Sequence, residues 1–335
     1  MDFDKLIKKF EESDSVAVFG HMNPDGDSIG AVLAMAWILE NHFNVGEVKL
    51  LSRDRVPRFL EFLPGSDRVT PCAEEPPGAA VDLSLLVDCG DAKRVGRGME
   101  KHINNASSIA VIDHHSTNSG FGDINCTDPH ASSTCEIICR LADAAGVDKS
   151  PDLATYLYTG IMFDTGRFIH SNTTPEVFQH CARLVAAGAD PAYIATSVYS
   201  NRSISHLRLL GYVLSSFETD ADTAIAYIVT SREKFKSLGA TEEDNEGVVE
   251  KLGSYADCEV HISFMELEGG VVRVSMRSKG RLNVGNICKH FGGGGHDFAA
   301  GIRIEDTLEN VRDKVIAETK TRLAELPEPP EAVDD

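Results

Sequence analysis

The stretch FGHMNPDGDSIGA, residues 19–31, puts His21, Asp25 and Asp27 close together around a Pro-Asp-Gly turn. Carboxylates held that near one another repel, so something must offset the repulsion. Three more polar clusters follow along the chain. LSLLVDCGD carries Asp88 and Asp91, IAVIDHH carries Asp113, His114 and His115, and GIMFDTGRF carries Asp164. Carboxylates and imidazoles together suit Mn2+, Co2+, Fe2+ or Zn2+. A carboxylate that bridges two such cations holds them about 3.5–4 Å apart, the arrangement that acts on phosphoryl groups. Bound cations also remove the repulsion, because each carboxylate then faces a 2+ charge. Taken singly, each cluster has a plainer reading. NPDG is a common turn, Asp27 and Ser28 suit a helix cap, and a lone aspartate after a strand is ordinarily a turn residue. It is the series, each cluster ending an apolar element, that favours a metal site.

The elements that must position these residues alternate between strand and helix. Strands are expected at SVAVFGH (15–21), VKLLSR (48–53), VDLSLLVDCGD (81–91) and SIAVIDHH (108–115). Helical spacing of apolar residues runs through 28–43, 132–146, 151–164 and 174–188, and an amphipathic helix with Phe3, Leu6, Ile7 and Phe10 on one face opens the chain. Continuous apolar strands alternating with helices imply a mostly parallel sheet covered on both faces. In such a sheet, sites form at the carboxyl ends of the strands, where the first three clusters fall. The fold class is therefore α/β over residues 1–190. A helical connector is expected over 191–217, and a smaller α+β domain over 218–325. That second domain has strands at 223–230, 258–268 and 270–278, the last two joined by a Gly-Gly turn as a hairpin. Its helices are expected at 244–254, 283–291 and 307–325. The acidic, proline-rich tail 326–335 reads as disordered.

Composition bounds the function. A chain of 335 residues is long enough for two domains, and 42% hydrophobic with 25% charged residues is ordinary for a globular protein. No apolar run reaches the roughly 18–20 residues of a membrane span, and the N-terminus lacks the features of a signal peptide. The eight cysteines form no C-x-x-C pair and read as reduced core residues of a cytoplasmic protein. A net charge of −20 opposes tight binding of long duplex nucleic acid, which needs several Lys or Arg contacts to phosphate. It permits a short anionic substrate held by metals and a few local arginines.

On HMNPDGDSIG (21–30), VDCGD (87–91), IDHH (112–115) and IMFDTGRF (161–168), in that order, the chain resembles the DHH phosphoesterases. FGGGGHDFAAG (291–301) is similar to the signature of the DHHA1 domain that accompanies them. Within the family the likeness is to the stand-alone oligoribonuclease and 3′-phosphoadenosine 5′-phosphate (pAp) phosphatase subgroup, for which Mn2+ is the usual metal. The resemblance implies that His21, Asp25 and Asp88 bind one metal. Asp27, Asp88, His114 and Asp164 would bind a second, with Asp88 bridging; Mg2+, Co2+ or Fe2+ are substitutes. It places His115 near the phosphate as a hydrogen-bond donor or acid, and Asp113 as the group that orients its neighbours. Asp91 has no ligand role in the family and reads as a turn or cap residue.

The expected chemistry is metal-assisted phosphoester hydrolysis, in which coordination lowers the pKa of water from about 15.7 toward neutrality. The second domain would grip the rest of the substrate. Gly293, Gly294 and Gly295 lack side chains that would keep a phosphate from the backbone N–H groups, and His296 follows them. Arg277 and Ser278, at a strand end, would hold a second phosphate, with Asn286 a further contact. A two-domain plan with an acidic exterior favours substrates of about two to five nucleotides, RNA or DNA, or a nucleoside bisphosphate. Cyclic or linear dinucleotides, pyrophosphate, or a silent nucleotide-sensing role are the alternatives. A homodimer is left open, since no exposed heptad or apolar stripe argues for one.

Overall fold

The run Val16–Phe19 has no polar side chain on either face, so a strand built from it must be covered on both. A computed structural model, which describes residues 3–220, 223–245 and 247–327, has that arrangement. The chain divides into two compact units at Asn201 and Arg202. The first opens with α1 (Asp4–Glu11), β1 (Ser15–Phe19), α2 (Gly26–Asn41), β2 (Glu47–Ser52), β3 (Thr70–Pro71) and β4 (Leu83–Val87). It continues through α3 (Glu100–Ile103), β5 (Ile109–Asp113), β6 (Ile124–Thr127), α4 (Thr134–Ala145), α5 (Pro151–Asp164), α6 (Pro175–Ala186) and α7 (Pro191–Tyr199).

The six strands lie in the order β3-β2-β1-β4-β5-β6, and every pairing is parallel. Val16 and Val18 face a core that includes Ile29 and Leu33 of α2, Ile137 of α4 and Leu157 of α5. Ala17 and Phe19 face the opposite core with Val95, Met99 and Ile103. From β1 the chain runs outward to β2 and β3, then returns on the other side of β1 as β4. That reversal is the topological switch point of an open parallel sheet, where loops leave adjacent strands in opposite directions and open a crevice. The ends of β1 and β4 carry His21 and Asp88.

Helix starts are written locally. Ser150, Thr174 and Asp190 cap α5, α6 and α7 through their side chains, and a proline follows each cap. The stretch 191–217, expected as a helical connector, forms two helices whose apolar residues join different cores. Ile194 and Val198 of α7 belong to the first unit's core, whereas Leu209 and Val213 of α8 (Ile204–Ser216) belong to the second unit's.

The second unit holds β7 (Glu218–Asp220), β8 (Ile225–Thr230), α9 (Arg232–Ser237), α10 (Val249–Leu252), β9 (Val260–Glu266) and β10 (Val271–Ser278). It ends with α11 (Val284–His290), β11 (Gly294–Gly295), β12 (Ala299–Glu305) and α12 (Leu308–Ala324). Its sheet runs β11-β12-β10-β9-β8-β7, antiparallel except for β8 with β9. β9 and β10 form the expected hairpin. The helix expected over 244–254 shrinks to α10 and a short turn, because Gly247 sits at φ 77°. β12 was not expected: its apolar alternation of Ala300, Ile302 and Ile304 is brief and interrupted by glycine. Leu326 packs against the second core, and residues 328–335 of the expected disordered tail lie outside the described residues. All eight cysteines are buried free thiols. Among the described residues, no helix is long and apolar enough to cross a membrane.

The packing of α2 on α5 yields a test whose sign is decided by sterics. A Cβ on Gly30 would lie 2.7 Å from the carbonyl oxygen of Tyr156, a backbone atom that cannot swing away. Helix propensity alone favours alanine over glycine by about 0.5–1 kcal/mol. Overpacking costs about 1–3 kcal/mol and outweighs it. Gly30→Ala is therefore expected to lower the urea midpoint at unchanged slope; a raised midpoint would show that the helices separate freely.

Candidate metal centre

Asp25 caps α2. Its Oδ1 accepts from the backbone N–H groups of Asp27 and Ser28, both at 3.0 Å, which leaves Oδ2 turned toward His21 Nε2 at 3.6 Å. His21 donates Nδ1–H to the Met22 carbonyl at 2.8 Å, so its Nε2 is the atom presented to the carboxylates. The cap and the ligand candidate are thus the same residue, with one oxygen for each purpose.

Asp88 follows β4 with φ of 59°, in the left-handed region that residues other than glycine enter uncommonly, aspartate more readily than most. This turn directs a buried carboxylate back over the sheet end. Asp88 Oδ2 lies 3.3 Å from His21 Nε2, and Oδ1 lies 3.6 Å from His114 Nε2. Thr134 donates its hydroxyl to Oδ1 at 3.2 Å. The two oxygens of one carboxylate therefore face two histidines on different strand ends. His114 Nε2 also lies 3.1 Å from Asp164 Oδ2, at the end of α5.

Asp27 is fully buried and sits at the start of two helices. It lies in the first turn of α2, and its oxygens accept from Thr134 N at 2.7 Å and Cys135 N at 2.9 Å at the start of α4. Helix N-termini favour negative charge. His115 Nδ1 donates to Asp113 Oδ1 at 2.7 Å, and Asp113 is also fully buried.

These residues form three-residue sets whose ligand atoms lie within 4.8 Å of one another: His21, Asp25 and Asp88; Asp27, Asp88 and His114; Asp88, Asp113 and His115. Asp88 belongs to all three. The imidazoles and carboxylates are the donor set expected for Mn2+ or Fe2+, and two of the sets supply three ligands each around one shared carboxylate, so the residues fit a pair of divalent cations.

The cluster's charges are strongly coupled. Burial disfavours a charged His21, but Asp25 and Asp88 overcome it and raise its pKa to about 10. His114 is likewise raised despite burial, through Asp164 and Asp88. Burial together with Asp164 and Asp88 pushes Asp27 well above the carboxylate range. Burial works against a charged Asp88, yet His21, His115 and His114 hold it below that range. A raised histidine pKa contributes stability that is complete below about 6.5 and is lost as pH rises through about 10.

The sequence did not single out Thr134, Cys135 or Asn118, which hold Asp27, Asp88 and Asp113. The signal available for the first two was the Ser133-x-x-Glu136 spacing of a helix start, where Ser133 accepts from Glu136 N and Glu136 reaches back one residue past the cap to accept from Ser132 N. Asp91 does cap the short turn Ala92–Val95 through Lys93 N and Arg94 N.

In the second unit two of the side chains expected at the substrate, Arg277 and Ser278, are bonded within the unit. Arg277 turns its fork onto Glu250, with Nε at 2.9 Å and Nη2 at 2.7 Å from Oε1. Ser278 donates to Glu259 and accepts from the backbone of Gly280 and Leu282, so its hydroxyl is committed to the turn after β10. The missing side chains of Gly293 and Gly295 admit the carbonyl oxygens of Gly301 and Ala299, whereas Gly294 faces open space. His296 is exposed in the tight link to β12, where it exchanges backbone bonds with Ala299, and Asn286 is exposed on α11.

Residues 15–161 match the DHH family, N-terminal domain, and residues 222–325 match the DHHA1 domain. The bifunctional oligoribonuclease and PAP phosphatase NrnA of Thermus thermophilus is 34% identical over 306 residues, which span 90% of this chain and 88% of that protein. This chain belongs to the DHH family. A probable bifunctional oligoribonuclease and PAP phosphatase NrnA of Streptococcus mutans is 29% identical over 92% of this chain and 95% of that one. Among solved structures, an exopolyphosphatase-related protein from Bacteroides fragilis superposes with a TM-score of 0.86 at 28% identity, covering 96% of this chain and 97% of the other. Within the DHH match lie His21, Asp25, Asp27, Asp88, Asp113, His114 and His115, and Asp164 falls just beyond it.

The raised pKa values give a thermodynamic test. A cation takes a neutral imidazole, so at pH 7 its binding to His21 and His114 must expel their protons. The enthalpy of Mn2+ binding measured by calorimetry at pH 7 is expected to vary with the ionisation enthalpy of the buffer, and the affinity to fall at lower pH. A buffer-independent enthalpy would show that binding releases no net proton and would overturn the raised histidine pKa values.

Proposed function

We propose that this DHH-family chain is a two-metal phosphoesterase that hydrolyses oligonucleotides of about two to five residues to mononucleotides, and pAp to AMP. The observation that carries the reading is the buried Asp88 carboxylate, whose two oxygens face His21 and His114. The relatives in Thermus thermophilus and Streptococcus mutans, aligned over nearly their whole length, carry both activities in their names.

His21, Asp25 and Asp88 would hold one cation, and Asp27, Asp88, His114 and Asp164 the other; Mn2+ is the preferred occupant. Bound there, divalent cations supply Lewis-acid charge to phosphoryl oxygens and make water a competent nucleophile. Asp88 keeps the two ligand sets in register, and Thr134 holds its Oδ1. Asp27 is fixed through both oxygens by the start of α4. Asp113 engages Nδ1 of His115, so His115 meets the substrate through Nε2, where a proton can pass to the leaving oxygen. In the second unit, the open backbone at Gly294, with His296 and Asn286, offers donors to a further phosphate, and Arg277 would join them on leaving Glu250 and the Met276 carbonyl. Ser278 has no place in that set because its hydroxyl is committed to its turn.

The test is product-resolved hydrolysis with Mn2+ of 5′-phosphorylated di- and pentaribonucleotides, a long oligonucleotide, pAp and pyrophosphate. Short oligonucleotides and pAp are expected to be cut, the long strand far more slowly, and pyrophosphate not at all. Asp88→Ala is expected to reduce turnover by about a thousandfold or more, since it removes a ligand common to both cations. Equal rates on long and short strands, or full activity of the variant, would sink the proposal.

A further inference from the structure

Asn118 has no part in the chemistry proposed above, yet every polar group of its side chain is committed within the site. Its Nδ2 donates to Asp113 Oδ2 at 2.7 Å and to the Cys89 carbonyl at 3.2 Å. Its Oδ1 accepts from Gly120 N at 2.8 Å, and its own N–H closes a turn onto the His115 carbonyl at 3.1 Å. Flipping the amide would set its oxygen against a carboxylate and a carbonyl, so one orientation is fixed.

Asp113 is fully buried, with one oxygen on His115 Nδ1 and the other on Asn118. A carboxylate bonded through one oxygen can still pivot about its own axis, and an imidazole that follows it pivots too. Bonding the second oxygen removes that freedom. Asn118 reaches back to the loop after β4 through Cys89, the neighbour of Asp88, so it ties the His115 turn to the strand end that carries the shared carboxylate.

We propose that Asn118 is a positioning residue that acts through Asp113 to aim His115 Nε2 at the leaving oxygen of the phosphoester. The inference rests on the phosphoesterase reading. In the step it serves, a water oxygen forms a bond to phosphorus and gives a proton to solvent. The bond from phosphorus to the ester oxygen breaks, and its electron pair stays on that oxygen. The proton on His115 Nε2 passes to that oxygen, releasing an alcohol, and His115 recovers a proton from solvent.

The role predicts a dependence on leaving group that a merely structural residue would not show. An alkoxide needs the proton, whereas 4-nitrophenolate leaves without it. Wild type, Asn118→Ala, Asn118→Ser, His115→Ala and the Asn118→Ala/His115→Ala double variant are compared with Mn2+ on a 5′-phosphorylated diribonucleotide and on the 4-nitrophenyl ester of a nucleoside 5′-phosphate. Asn118→Ala is expected to lower kcat about 10- to 100-fold on the diribonucleotide and less than about threefold on the ester, with KM within about twofold. Mn2+ affinity by calorimetry is expected to stay at the wild-type value, and the substitution to add nothing once His115 is alanine. Equal losses on both substrates, weakened Mn2+ binding, an additive double variant or no loss at all would each overturn the inference. Should the alanine variant fail to melt cooperatively, Asn118→Ser carries the same comparison. A wild type that binds Mn2+ but cuts neither substrate would instead overturn the phosphoesterase reading, and this inference with it.

Discussion

One buried carboxylate organises the first unit. Asp88 sits where the parallel sheet reverses its order, takes a left-handed backbone conformation, and faces a histidine from β1 with one oxygen and a histidine from β5 with the other. A single ionised carboxylate in that position would cost several kcal/mol without compensating partners. Its compensation comes from His21, His114, His115 and the Thr134 hydroxyl. Each of those is held in turn: His21 by the Met22 carbonyl, His115 by Asp113, and Thr134 by its place at the start of α4. The left-handed turn is tolerable because so many partners over-determine it.

The helices serve the same carboxylates through their ends. α2 begins at Asp25 and α4 at Ser133, and the free N–H groups of both starts converge on Asp25 and Asp27. Those two acids compete for protons in opposite senses. His21 keeps Asp25 below the usual carboxylate range against the effect of burial, while burial with Asp164 and Asp88 raises Asp27. Such divergence within one turn is typical of sites built to hold charge rather than of surface acids.

Much of this was legible in the sequence because it is local. The apolar strand runs, the cap-proline starts of α5, α6 and α7, and the polar clusters closing β1, β4 and β5 each fit within a few residues. Short edge elements were not legible: β3 and β6 have too few residues for a period to register, and β12 looked like a loop because its motif is rich in glycine. Side-chain partners distant in sequence were not legible either. Nothing near Arg277 announces that Glu250 will take its fork, and nothing near Asn118 announces Asp113 and Cys89. The glycine run was legible only in part. Its missing side chains looked like room for a phosphate, but at Gly293 and Gly295 that room is filled by the neighbouring strand's carbonyls.

The strand order also sets when the site can come into being during folding. β1 pairs with β2 early in the sequence, but Asp88 reaches His21 only after β4 has returned across the intervening chain, and Asp164 arrives only when α5 docks. Parallel pairings close long loops before any contact repays the lost entropy, so they form slowly. The four polar clusters that end up together are well separated along the chain. Repulsion between different clusters therefore arises only where β1, β4, β5 and α5 are already side by side, and the apolar core that holds those elements together is what holds the charges together.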